Sequence, residues 1–248
     1  MRHHIEHLSS TDMAWTQVSA GVYTKMLNYN EADGDRTVLI RFVPAEGAAP
    51  PSVIHYHSAF EEIFILDGKM TFDGQTWLDG YAYVFHPPFV VHGFKSSVPE
   101  ETVFLARAPT SLDFNFPEPT GETRPYLISG EAGTRDLVYA NVPDEADWTP
   151  LTGASGAAMG RQFMLSRDRL SGEGSRLVRL AAGLEIPARP DGYESFDEGF
   201  LLEGRVEAED GTVWRSGDYW HRLAGRAVPA LRVEESALVF LSTGPRRL

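Results

Sequence analysis

The chain has 248 residues, 42% of them hydrophobic, enough to build two small cores or one large all-β unit. A net charge of −13 argues against binding nucleic acid through its phosphates, which needs a basic face, and against docking on anionic membranes. There is no cysteine, hence no disulfide framework and no thiolate chemistry, which fits a cytoplasmic protein.

In chain order, the leading residues lack the apolar run of a signal peptide, and His3, His4 and His7 read as a polar leading segment rather than a metal site. Residues 18–28 alternate loosely as a first strand. Residues 30–35 form a polar turn, and residues 37–43 form a strong strand stopped by Pro44. In the next strand His55 and His57 are two apart and so share a face. After a short turn, Glu61, Ile63 and Ile65 share one face of a strand that ends at Asp67-Gly68. Two imidazoles and a carboxylate converging from adjacent strands suit a divalent transition metal, and His92 is a fourth candidate. Strands are also expected around residues 69–72, 76–78, 81–85, 90–94 and 102–107. No 3.6-residue period persists, so helix content should be low, and no apolar stretch is long enough to span a membrane as a helix.

These residues resemble the cupin superfamily, whose first motif runs G-x5-H-x-H-x3,4-E-x6-G and whose second runs G-x5-P-x-G-x2-H-x3-N. His55, His57, Glu61 and Gly68 keep the internal spacing of the first, and Gly80, Pro87 and His92 follow the second. The chain departs from the pattern at Gly47, which precedes His55 by a longer gap, at Phe89 in place of the motif glycine, and at Ser96 in place of the Asn. The resemblance implies a β-barrel in which His55, His57, Glu61 and His92 hold one metal. Glu62 is the rival carboxylate, and the spacing to Gly68 favours Glu61.

Residues 108–126 contain Pro109, Pro117, Pro119 and Pro125 and read as an inter-domain linker. This divides the chain into a metal-bearing barrel at 1–118 and a degenerate one at 119–248. The second half echoes the first: residues 60–69 match 196–205, Asp73-Gly74 matches Asp210-Gly211, and Gly80 matches Gly217. The expected fold is therefore all-β, with two tandem cupin barrels of the double-stranded β-helix (jelly-roll) type. Aligned this way, Asp191 stands at the place of His55, Tyr193 at that of His57, and Pro229 near that of His92. The second half then lacks a transition-metal site and serves as a structural partner or a metal-free pocket.

The expected cofactor is one divalent transition metal per chain. Fe(II) is favoured by resemblance, and Mn, Ni, Zn, Cu and Co are compatible with the donors. The resemblance implies a dioxygenase acting on a small phenolic or β-dicarbonyl-like compound. The alternatives are a redox-neutral isomerase or decarboxylase, or a metal-binding sensor like the cupin half of zinc-bearing anti-sigma factors. Arg41 and Arg107 interrupt apolar strands; each is an anchor for an anionic substrate if it points inward, and an ordinary solvent-facing arginine if outward. Phe94 falls on the His92 face by alternation and is a third candidate for substrate contact. His86 is either a base beside the metal or a surface-loop histidine. The expected partner is a small-molecule substrate, and homo-oligomerisation is left open.

Overall fold

The computed structural model describes residues 2–128, 134–153 and 156–244. Its regular structure is all-β: antiparallel strands, three short 3-10 turns and no α-helix among the described residues. The chain forms two compact units.

The first unit comprises residues 1–2 and 14–142. Its seven-stranded sheet runs in the order Val138–Asn141, Ala82–His86, Glu61–Asp67, Thr102–Ala108, Arg36–Phe42, Val22–Tyr29 and Thr16–Ser19. Alternation sorts the side chains. Ile63, Ile65, Ala82, Val84, Phe104 and Phe42 point to one face and pack with Met70, Phe72 and Leu78 as the core. Two small two-stranded sheets and the bridges His55–His92, Tyr56–Asn115 and Thr71–Ser97 build the opposing wall.

The second unit comprises residues 3–13 and 143–248. Its main sheet runs Ile5–Ser9, Asp218–Arg222, Asp197–Ala208, Leu231–Thr243, Gly174–Leu180, Ala158–Arg167 and Thr149–Thr152. This is the same order as the first sheet, strand for strand, and its core is built around Leu201, Trp214, Trp220 and Val239.

Three expectations change. The seam lies at 142/143 instead of 118/119, because Val138–Asn141 pairs with Ala82–His86 and completes the first sheet. The leading histidines are not a loose polar segment: Ile5–Ser9 is an edge strand of the second unit, with His7 Nε2 2.9 Å from Asp218 Oδ2 and its ring stacked on Trp214. The repeat is also displaced at one point. Arg189 bridges Val228 as His55 bridges His92, so arginine and valine occupy the places assigned to Asp191 and Pro229. Tyr193 does occupy the place of His57: Gly225 N–H donates to the Tyr193 carbonyl as Phe89 N–H donates to that of His57.

Candidate metal centre in the N-terminal unit

His55 and His92 are locked opposite each other by two backbone hydrogen bonds, His55 N to His92 O at 3.1 Å and His92 N to His55 O at 2.8 Å. His57 joins them, and the ring centroids lie 4.3 Å (His55–His92), 5.0 Å (His55–His57) and 5.2 Å (His57–His92) apart. All three are buried. Gly93 makes room for this packing: its φ is +83°, and a Cβ there would sit 2.8 Å from the Val53 carbonyl and 3.0 Å from the His55 ring.

Each ring is tied at Nδ1 to a backbone carbonyl: His55 to Val53 at 2.6 Å, His92 to Val90 at 3.0 Å, and His57 to Asp113. A carbonyl only accepts, so Nδ1 carries the proton and Nε2 presents a lone pair. Burial lowers the pKa of His55 and, further, that of His92, which keeps both rings neutral near pH 7. One ring nitrogen from each histidine lies within 4.8 Å of the others. Three buried imidazoles, each with Nδ1 turned to a backbone carbonyl, fit a divalent transition metal.

Glu61 begins the strand Glu61–Asp67 on the core face, with Oε2 3.7 Å from His92 Nε2. Burial alone would raise its pKa, but a hydrogen bond from His86 and the field of the neighbouring imidazoles bring it down to about 2. It is therefore a carboxylate, adjacent to the three rings. Its rival Glu62 points to the opposite face of the sheet, where it accepts hydrogen bonds from Tyr83 (2.5 Å), Arg135 (2.8 Å) and Arg107.

His86 is buried at the end of Ala82–His86, not on a surface loop. Its Nδ1 donates to Glu61 Oε2 at 2.8 Å, and its Nε2 accepts from the Tyr139 hydroxyl. Burial, with Glu61 and Asp73 nearby, raises the Tyr139 pKa well above its usual value, so the phenol keeps its proton. Glu61, His86 and His92 also cluster closely enough to hold a metal, but both nitrogens of His86 are already engaged. His86 acts as the orienting partner of Glu61.

The expected substrate contacts are not brought together here. Arg107 pairs with Glu62 on the other face of the sheet, away from the imidazoles. Arg41 also faces away from the core, between the rings of Trp15 (5.0 Å) and Tyr23 (4.6 Å). Phe94 falls in a bend after Gly93, which ends the alternation, and packs on Tyr126. The ring that does cover the histidines is Phe114, 4.9 Å from His55 and 5.0 Å from His57, and 53% exposed. It belongs to the stretch expected to be a linker. That stretch is part of the site: Asn115 bridges Tyr56, and Asp113 Oδ1 accepts from Ser58 N–H at 2.8 Å. The sequence signal was Asp113-Phe114-Asn115, an aromatic between two residues that cap backbone groups.

A family model of the ChrR cupin-like domain matches residues 4–111. No curated protein matches the chain by sequence. Among solved structures, a candidate dioxygenase from Nostoc punctiforme is similar at TM-score 0.76, with 16% identity over 99% of this chain and 87% of that one. Protein Ylba from E. coli is similar at 0.62, with 10% identity over 98% and 91%. An oxalate decarboxylase from Lactobacillus farciminis, crystallised with formate, is similar at 0.56, with 12% identity over 98% and 86%. At these identities the structural likeness carries the fold and not the chemistry. The match over residues 4–111 makes the first part of the chain similar to the ChrR cupin-like domain, and the solved structures show that the chain as a whole has a cupin-type fold.

Proposed function

We propose that the N-terminal unit is a metal-dependent enzyme in which His55, His57, Glu61 and His92 hold one divalent transition metal, Fe(II) by preference. We read it as a dioxygenase for a small phenolic or β-dicarbonyl-like compound. The observation that carries the reading is the common tautomer of the three histidines, each pinned at Nδ1 so that Nε2 is free to ligate. The bound metal would supply a Lewis-acidic centre for an enolate or phenolate oxygen and for O2. The protein residues would do the rest. His86 holds the Glu61 carboxylate in place, Tyr139 fixes the His86 tautomer, and Phe114 offers a ring beside the histidines. Core residues such as Phe72, packed edge-on to His86, exclude water from below.

The test is metal analysis of protein purified without chelator, followed by O2-electrode assays against phenolic and β-dicarbonyl compounds. Stoichiometric iron with substrate-dependent O2 uptake is the expected result. Substrate turnover without O2 uptake would replace the oxygenase reading with a redox-neutral isomerase or decarboxylase. A second reading, a metal-binding sensor, draws on the match to the ChrR cupin-like domain. Its mark would be tight zinc with no turnover.

A further inference from the structure

The second unit lacks the imidazoles, yet the corresponding place is not filled in. A cavity of about 1070 Å³ opens there, lined among others by Arg189, Tyr193 and Asp197. These stand at the places of His55, His57 and Glu61, as the bridges and strand register show. Arg222 pairs with Asp197 across the strands as His86 pairs with Glu61. Guanidinium groups thus stand at the places of His55 and His86, and a valine stands at that of His92.

Arg176 is the informative residue. It lies opposite Leu241 in Gly174–Leu180, where the first unit has Val38 opposite Ala106. An apolar core position of one unit is therefore a guanidinium in the other. Its Nη1 donates to Gln162 Oε1 at 3.2 Å, and its buried Nε has no hydrogen-bond partner. Asp197 interacts with Arg176 electrostatically, but its Oδ2 also accepts from Trp220 Nε1 at 3.0 Å and Arg222 Nη1 at 3.1 Å, so one carboxylate is shared between two guanidinium groups. Arg189 stacks over the Tyr193 ring at 4.8 Å, and Arg167 also lines the cavity. Asp191 and Glu194 are exposed and their charge is spent on water. A half-buried guanidinium with donors to spare is costly unless an anion meets it. Met164, Phe196 and Leu241 supply apolar surface in the same cavity.

We propose that the C-terminal unit is a metal-free binding site for a small organic carboxylate with an apolar body, whose carboxylate is received by Arg176 and Arg189. The planar guanidinium matches a carboxylate with paired donors. The cavity is at the upper end of the size usual for small-molecule sites, so it admits a ring-bearing acid. The site is distinct from the metal centre proposed for the N-terminal unit and does not depend on that assignment.

The test is calorimetric titration of the whole protein with acetate, succinate, benzoate and 2-naphthoate, and with the amides of the two aromatic acids. The expected result is binding of one aromatic acid per chain, at least about ten-fold tighter than its amide, since hydrogen bonds to charged groups carry most of the preference. Arg176→Gln and Arg189→Gln should each weaken it about ten-fold, and His57→Ala in the other unit should leave it unchanged. Arg189 is exposed, so its replacement keeps the test valid should Arg176→Gln fold poorly. The proposal is overturned if no acid binds at up to about 10 mM. It is also overturned if amides bind as well as acids, or if His57→Ala removes binding that both arginine variants retain.

Discussion

A carbonyl oxygen can only accept a hydrogen bond, and three such oxygens decide the chemistry of His55, His57 and His92. Because the Nδ1 partners are backbone atoms of Val53, Asp113 and Val90, no side-chain substitution removes them, and the free Nε2 is a property of the local fold. His57→Ala should remove most bound metal while leaving the protein folded, since both units bury cores that do not require the ion, unlike a zinc finger. Elemental analysis and a thermal melt read the two halves of that statement; full metal retention in the variant would mean the ligands are elsewhere. Titration behaviour follows from the same burial. His55 and His92 have folded pKa values below the unfolded value of about 6.5, so the unfolded chain binds more protons as pH falls through that point. Stability is then full above about pH 6.5 and lost progressively below it. Glu61, lowered to about 2, adds a further loss at pH values below its unfolded pKa of 4.5. In chelator-treated protein the melting temperature should therefore drop between pH 7 and 5, and less so in His92→Gln. A flat profile in both would show that these rings are not held neutral by burial.

At the scale of elements, the site depends on irregular backbone as much as on strands. Gly93 turns the chain away immediately after His92, and any side chain there would collide with His55. Gly93→Ala should cost on the order of 1–3 kcal/mol in chemical unfolding and loosen metal binding together with it. A variant as stable as the parent would mean that the His55 ring can move aside. The clustering of His55, His57 and His92 and the core-facing position of Glu61 are legible in the sequence, because period-2 alternation and motif spacing fix which face a strand residue occupies. What was not legible came from two sources. Arg107 and Arg41 interrupt apolar runs, but a run buried on both faces does not reveal which face is the barrel interior, and both proved to point away from the core. Phe114 and Tyr139 lie in or beyond a proline-rich stretch with no alternation to read, and reach the site only because Asn115 and Val138–Asn141 pair back onto the first unit. Phe94 was misplaced for the opposite reason: alternation was extended across a glycine that ends it.

For the whole molecule, the internal repeat marks two like units but does not show which segments each is made from. Strand order is the same in both sheets, yet the edge strand beside Ala82–His86 is Val138–Asn141, and the one beside Asp218–Arg222 is Ile5–Ser9. The two units also differ in donors. Glu61→Ala should reduce metal per chain, whereas Asp197→Ala should leave it unaltered, because only the first removes a carboxylate beside free imidazole nitrogens. Elemental analysis of wild type and both variants decides this; a ratio near two in wild type, or equal losses, would make the second unit a working metal site.

Ile5–Ser9 carries one more consequence, in time instead of space. During synthesis the ribosome delivers this strand long before its partner Asp218–Arg222, with His7 meeting Asp218 across a sequence separation of 211 residues. The first unit lies almost entirely within that interval and has all its strands once Asn141 has emerged. The early strand must wait, unpaired, while an entire neighbouring unit folds from the chain between it and its partner. So long a closure makes the last step slow relative to local pairing. The charged and imidazole groups of His4, Glu6 and His7 suit such a waiting strand, since they keep it soluble and discourage edge-to-edge association until its place is ready.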